Sequence, residues 1–353
     1  MEKKRIALLF GGPSAEHSVS LMSARSVYEN VDVAEIEWLP QAITRDGYWL
    51  DITTSRELLE SESTEISSEY GEVYESPWQS IRENFPGDVD LAFPLLHGPF
   101  GEDGTVQGFL KTAGVTYIGC DITSSVLGMD KIYMKDILHR YDLPQARYSP
   151  LSKEQYRRKD CAEIEVKVGT ELGYPCFVKP ASMGSSLGIS RVNSREELAS
   201  SLEAAFEFDD RIVIEEAIEG REIECSVLGN SHNCQVSRPG EIIPEGEFYD
   251  YESKYFSEKT RLLAPANLEE ELAERIRRLA RRTFLLLGGE GMARVDFFVT
   301  DEENILINEI NTIPGFTDKS MYPRMWQASG LSYPELVKEL VREAVKSEVK
   351  DRE

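Results

Sequence analysis

Apolar positions along the chain switch between two spacings, and each spacing predicts a kind of element. Lys4–Phe10 ends in a short unbroken apolar run closed by Gly11 and Gly12, which predicts a buried strand. A helix follows from about Ser18 to Asn30, and Val89–Pro94 and Val115–Ile118 read as two further strands. Glu57–Ser80 is acidic and serine-rich and predicts a surface insertion with weak structure. Beyond about Gly119 the pattern changes. Val126, Met129, Ile132, Tyr133 and Ile137 fall near helical spacing and predict one helix over Ser124–Tyr141. Cys176–Lys179, Gly188–Val192 and Arg211–Glu216 predict strands, with a helix over Leu198–Phe206 between the last two, and Glu222–Leu228 alternates as another strand. From Leu268 an amphipathic helix carries Leu272, Ile276, Leu279, Ala280, Thr283 and Leu287 and stops at Gly288; Tyr333–Lys346 is a final helix. Strands alternating with helices predict an α/β fold, and no internal repeat is visible.

Length and charge narrow the picture. A chain of 353 residues exceeds one compact core and suits two or three domains. No apolar run approaches the roughly 20 residues that span a bilayer, and the short Ile6–Phe10 run is no secretory segment, so a cytoplasmic protein is expected. Five scattered cysteines without a CxxC pair fit a reducing compartment and small buried side chains. A formal net charge of −24 repels nucleic acid and anionic membrane, so neither is an expected partner. An anionic ligand could bind only where lysines and arginines are locally gathered.

The most informative stretch is Ala293–Val299, then the polar Thr300–Asn304, then Ile305–Asn311. Two β-rich runs around a polar turn predict a hairpin. If Thr300 faces Ile305 across the turn, Asp296 faces Glu309 and Arg294 faces Asn311, all four on one face, with Val295, Phe297 and Ile310 on the other. Opposed side chains lie about 4.5–5.5 Å apart at Cβ, where two carboxylates repel. A divalent cation removes that penalty, and oxygen ligands without His or Cys favour Mg²⁺ or Mn²⁺. The stretch is either such a site or a solvated charged face; the apolar opposite face and the following Asn311–Gly315 favour the site.

Pro175–Gly188 reads as a strand ending in Lys179 and then a loop of small residues, Gly184, Ser185, Ser186 and Gly188, whose N–H groups can approach phosphate oxygens. No GxxxxGK[ST] motif and no GxGxxG accompanies it. Lys131 by itself is a surface lysine. Glu215 and Glu222 bracket a candidate adenosine pocket. Glu16 sits at the lip of the turn Phe10–His17, and His97 follows a strand in His97–Gly104, where α/β sites gather, or else is a turn histidine held by backbone. Phe248–Tyr255 packs four aromatics beside Lys254, as a water-excluding lid or as a packed surface loop.

In chain order, FGGPSAEHSVSL, LHGPFGEDGTVQG, SSVLGMDK, FVKPASMGSSLGI, IVIEEAIEGREIECSV, FYDYESKY, ARVDFF and NEINTIPGFTDKSMYP span nearly the whole sequence. The set resembles the D-alanine–D-alanine ligases of the ATP-grasp superfamily. The resemblance implies three domains: an N-terminal substrate-binding α/β domain over 1–121, a central ATP-grasp unit over 122–215, and a C-terminal unit over 216–353 with lid and metal site. ATP would lie between the last two. It implies Lys131 and Lys179 on the α- and β-phosphates and Lys254 on the γ-phosphate. Glu215 would meet the adenine amino group, with backbone groups of Glu216 and Ile218, and Glu222 the ribose. Asp296, Glu309 and Asn311 would hold two Mg²⁺ or Mn²⁺ ions.

The implied reaction phosphorylates the carboxylate of one D-alanine and then transfers the acyl group to the amine of a second, supplying a cell-wall dipeptide. Glu16 and His97 would serve the first substrate, Arg294 and the Gly315 N–H the oxyanion, and Ser320 and Met321 the second substrate's carboxylate. Tyr255, Ser185 and Glu16 would latch the lid. Relatives that make a D-alanine–D-lactate ester carry a histidine in the lid, whereas Tyr249–Tyr255 keeps the tyrosine-rich pattern and no histidine follows His232. A homodimer is implied by analogy. A nucleotide-binding protein that has lost catalysis would have broken the set Arg294, Asp296, Glu309 and Asn311, which is intact.

Overall fold

The computed structural model describes residues 3–31, 35–158, 161–244 and 260–351. Among the described residues three sheets organise the fold. The first segment runs β1 (Lys4–Gly11), α1 (His17–Asn30), β2 (Ile36–Ile43), α2 (Ile52–Glu60), α3 (Pro77–Asn84), β3 (Leu91–Pro94) and α4 (Thr105–Thr112), with a parallel sheet ordered β2-β1-β3. Then come α5 (Ile122–Met129), α6 (Lys131–Arg140), β4 (Tyr148–Ser152), α7 (Lys153–Arg158), α8 (Cys161–Glu171), β5 (Cys176–Pro180), β6 (Ser190–Val192), α9 (Arg195–Ala205) and β7 (Arg211–Glu216), with an antiparallel sheet β4-β7-β5-β6. The last segment holds β8 (Arg221–Gly229), β9 (Cys234–Val236), β10 (Gly240–Ile243), β11 (Arg261–Leu263), α10 (Glu270–Leu286), β12 (Gly291–Val299), β13 (Ile305–Asn311), α11 (Met321–Ala328) and α12 (Tyr333–Asp351). Its sheet is ordered β11-β10-β8-β12-β13, with β9 on β8.

β1 lacks alternation because both its faces are covered. Ile6, Leu8 and Phe10 enter one core with Leu21 and Val27, while Ala7 and Leu9 enter another with Trp49 and Leu110. β12 does alternate: Ala293, Val295, Phe297 and Val299 pack beneath Leu272, Ile276, Ala280 and Phe284 of α10, which leaves Arg294 and Asp296 on the opposite face.

Three expectations change. The single helix over 124–141 is two helices. Asp130 ends α5 and caps α6, accepting from the N–H groups of Ile132 and Tyr133 and pairing with Arg211. Val115–Ile118 pairs with β3 only through a bridge at Tyr117, cut short by Gly114 and Gly119, both at positive φ. Glu57–Ser80 is better ordered than its composition suggests. It contains the end of α2, a 3₁₀ turn over Ser68–Gly71 and the start of α3, and it sends Ile66 into the N-terminal core. Four cysteines, Cys120, Cys176, Cys225 and Cys234, are free and buried as expected. Among the described residues no helix is long and apolar enough to cross a membrane.

His17 ties that segment to the first loop. Its Nδ1 lies 2.6 Å from the Gly12 carbonyl, and its Nε2 accepts the Ile66 N–H at 3.2 Å, so the ring is neutral with its proton on Nδ1. Burial pushes its pKa below the usual 6.5. The stability this group contributes is therefore complete above pH 6.5 and lost as pH falls through the lower folded value. A His17→Gln variant should be less stable than wild type by about 1–2 kcal/mol at pH 7.5, and the gap should narrow below pH 6.5, read from urea midpoints across pH.

Candidate active site

One cleft of about 1400 Å³ is lined from all three sheets: by Glu16 and His97, by Lys131, Lys179, Ser185 and Glu215, and by Glu222, Arg294, Asp296, Glu309 and Ser320. Ile218, Glu216, Asn311, Gly315 and Met321 also face it. Of the expected site residues, Lys254 and Tyr255 lie, with the rest of Phe248–Tyr255, outside the described residues.

The floor is the hairpin. Asp296 pairs with Glu309 and Arg294 with Asn311, as the alternation predicts, but the turn differs. Val299, not Thr300, faces Ile305, and the ladder regains the expected register through a bulge between Phe297–Ile307 and Asp296–Glu309 that leaves Asn308 as the extra residue. The bulge lets Ile305 and Ile307 enter the core and still turns Glu309 and Asn311 to the cleft, which strict alternation forbids. On the other side of Asp296 the ladder places Glu224 of β8.

A row of three carboxylates crossing three strands needs positive charge. Arg294 donates through Nε and Nη2 to both oxygens of Asp296, each at 2.7 Å, and its Nε lies 3.1 Å from Glu224 Oε1. Burial opposes the guanidinium charge, yet Asp296 and Glu224 hold its pKa above even the usual arginine value. Asn311 Nδ2 donates to Asp296 Oδ2 at 2.9 Å, which leaves Oδ1 as that side chain's acceptor, and Lys131 Nζ stands 3.9 Å from Glu309 Oε2. Asp296, Glu309 and Asn311 offer oxygen only, and a cationic ammonium already faces Glu309, so the set fits a hard divalent ion. Among the described residues no three of His, Cys, Asp and Glu gather as a closed metal cage. Two acids and one amide suit an ion that takes its remaining oxygens from phosphates and water.

The wall that carries the lysines is built by the helix break. Lys131 opens α6 with its N–H on the Ala181 carbonyl and its Nζ on Met183 O at 2.8 Å. Lys179, near the end of β5, donates to Glu215 Oε2 at 3.0 Å, while buried Lys135 lies 3.4 Å from Glu215 Oε1. Burial alone would raise the Glu215 pKa, but Lys135 and Lys179 hold it down to about 2. The Glu216 N–H is committed to Arg147 O and its carboxylate to the Arg147 side chain. In the loop above, positive φ falls on Ser185 (52°) and Ser186 (58°) and on Gly188, whereas Gly184 supplies room: a Cβ there would lie 3.2 Å from Glu16 Oε2. The Ser185 hydroxyl is buried and finds no partner among the described residues.

The opposite wall is a loop, Thr312–Ser320, pinned to the N-terminal segment. His97 Nδ1 donates to Ile313 O at 2.8 Å, and Glu102 accepts the Ile313 N–H at 3.0 Å. Ser23 Oγ lies 3.0 Å from His97 Nε2 and accepts the Phe316 N–H at 3.2 Å; Ser26 accepts the Asp318 N–H at 3.0 Å. A carbonyl can only accept, so the His97 proton sits on Nδ1 and Ser23 donates to Nε2. His97 thus holds backbone, and it also borders the cleft, where the expected substrate role would place it. Within the loop, Ser320 Oγ accepts the Thr317 N–H at 3.1 Å and would lie 3.1 Å from a Cβ at Gly315. Met321 packs on Ile242 and Met325.

Models of the D-ala D-ala ligase N-terminus and C-terminus match residues 5–120 and 137–342. The chain belongs to the D-alanine–D-alanine ligase family. The D-alanine–D-alanine ligase of Halothermothrix orenii is 45% identical over 98% of this chain and 99% of that protein, and that of Clostridium novyi 44% over 99% and 100%. Among solved structures, the D-alanine–D-alanine ligase from Coxiella burnetii superposes with a TM-score of 0.84 at 34% identity, covering 100% of this chain and 97% of that one. The VanG D-Ala:D-Ser ligase from Enterococcus faecalis gives 0.81 at 34%, covering 97% and 100%.

Against this family background, four side chains at the site escaped the sequence patterns. Glu224, Lys135 and Ser23 are single polar residues inside elements, with no spacing to mark them, and Asn308 is visible only as a bulge. Asp130 did carry a signal, a capping residue directly before a helical run. Ser23→Ala removes two buried hydrogen bonds, one to His97 and one from the Phe316 N–H. It should lower stability by about 1–3 kcal/mol, read as a fall in the denaturant midpoint at unchanged slope.

Proposed function

We propose that this member of the D-alanine–D-alanine ligase family joins two D-alanine molecules into D-alanyl-D-alanine, converting ATP to ADP and phosphate, as a step of peptidoglycan precursor synthesis. The observation that carries the reading is the Arg294 guanidinium fixed by Asp296 and Glu224 beside the Glu309–Asn311 oxygens, on the floor of a cleft that also holds Lys131 and Lys179.

In this reading the first D-alanine carboxylate attacks the γ-phosphorus and ADP leaves, giving an acyl phosphate. The free amine of the second D-alanine then attacks the acyl carbon, and phosphate departs as the amide forms. Lys131 and Lys179 bind the α- and β-phosphates and Lys254 the γ-phosphate. Glu215, with backbone groups of Glu216 and Ile218, receives the adenine, and Glu222 the ribose. A pair of Mg²⁺ or Mn²⁺ ions held by Asp296, Glu309 and Asn311 would neutralise the charge on the transferred group. Glu16 orients the first ammonium. Arg294 and the Gly315 N–H face the tetrahedral oxyanion, and Ser320 and Met321 receive the second carboxylate. Ser185, with Glu16 and Tyr255, closes the lid over the acyl phosphate and keeps water out.

The likeness to a D-Ala:D-Ser ligase raises D-serine as a second nucleophile. Met321 offers an added hydroxyl only a weak thioether acceptor, which favours D-alanine. The same reading holds the division into 1–121, 122–215 and 216–353, a cytoplasmic location and, by family analogy, a homodimer.

Phosphate release from ATP and Mg²⁺ should require D-alanine and ignore L-alanine. Release that appears only when D-serine or D-lactate joins D-alanine would replace the reading with another ligase of the family, and no D-alanine-dependent release from folded protein would end it. Glu309→Gln should keep the fold, by circular dichroism, and slow turnover by about 10²-fold or more. Unchanged turnover would mean the oxygen set is misassigned.

A further inference from the structure

Lys135 is a sealed lysine that the reaction described above does not use. It lies one turn beyond Lys131 on α6, so both side chains leave the same face, yet the Lys135 side chain is 1% exposed against 10% for Lys131. Its ammonium stands 3.4 Å from Glu215 Oε1 and 5.7 Å from the centre of the Tyr148 ring. The other Glu215 oxygen receives Lys179 at 3.0 Å. One buried carboxylate therefore bridges a lysine on the cleft wall and a lysine behind it.

The arrangement bears on nucleotide binding. A phosphate in the cleft competes with Glu215 for Lys179. Were Lys179 the only partner, its departure would strand a buried carboxylate, which protein interiors tolerate poorly. The second ammonium changes that balance. We propose that Lys135 is a positioning residue for nucleotide binding: as the second basic partner of Glu215 it lets Lys179 turn to the phosphates and keeps Glu215 an anionic acceptor toward the base. Burial lowers the Lys135 pKa and the neighbouring Glu215 opposes that, while Lys135 and Lys179, with Lys131 farther off, depress the Glu215 pKa against its own burial. The proposal rests on the ATP reading above.

ADP binding with Mg²⁺, measured by calorimetry on the full chain, separates the two. Wild type that binds no ADP overturns the ATP reading and this proposal with it. If wild type binds, Lys135→Met should weaken ADP by about tenfold or more while the D-alanine KM stays within about twofold. In a Glu215→Gln background, where no carboxylate can be stranded, the same Lys135→Met change should leave ADP affinity within about twofold. A purely structural lysine would instead cost the same in both backgrounds, and that result overturns the proposal, as does unchanged ADP affinity in the single variant. Should Lys135→Met not fold, the uncharged pair Lys135→Met/Glu215→Gln compared with Glu215→Gln alone decides: equal ADP affinity supports the proposal and a further tenfold loss overturns it.

Discussion

Three carboxylates on neighbouring strands, Glu224, Asp296 and Glu309, share one arginine, and the rest of the cleft is arranged around that imbalance. Arg294 satisfies two of them through a bidentate pair with Asp296 made by Nε and Nη2 and a contact of Nε with Glu224, so its direction is fixed. Glu309 is left facing Lys131 at 3.9 Å, too long for a hydrogen bond. An acidic protein that concentrates carboxylates in a partly buried row attracts cations there, and a triphosphate can follow only with metal or lysine to screen it. The lysines stand on the facing wall, each already held by a carbonyl or a carboxylate. Pre-set donors of this kind reorganise little when charge moves, which is what a site for phosphoryl and acyl transfer requires.

How much of this was legible depended on whether a residue sat in a pattern. β12 alternates without interruption, so Arg294 and Asp296 could be placed opposite Glu309 and Asn311 from spacing alone. β13 does not alternate, and its extra residue at Asn308 is why the predicted turn missed by one position while the predicted pairs at the site agree with the observed ladder. The α/β character followed from the two hydrophobic periods, but the parallel β2 escaped because Pro40 and Gln41 interrupt its apolar run. Glu224 and Lys135 were illegible for a simpler reason. A lone charge inside a strand or helix is usually solvated, and only three-dimensional packing reveals that these two are sealed.

The loop that carries Gly315 and Ser320 draws its rigidity from elsewhere in the chain. Ser23, Ser26, His97 and Glu102 hold its backbone across separations of 211 to 293 positions. Synthesis delivers those four anchors early, and the segment they grip leaves the ribosome last among the parts of the cleft. The geometry that would activate a carboxylate therefore comes into being only once residues 312–320 are joined to those early anchors, and the N-terminal core itself takes in Ile313, Phe316 and Tyr322 from that same late segment.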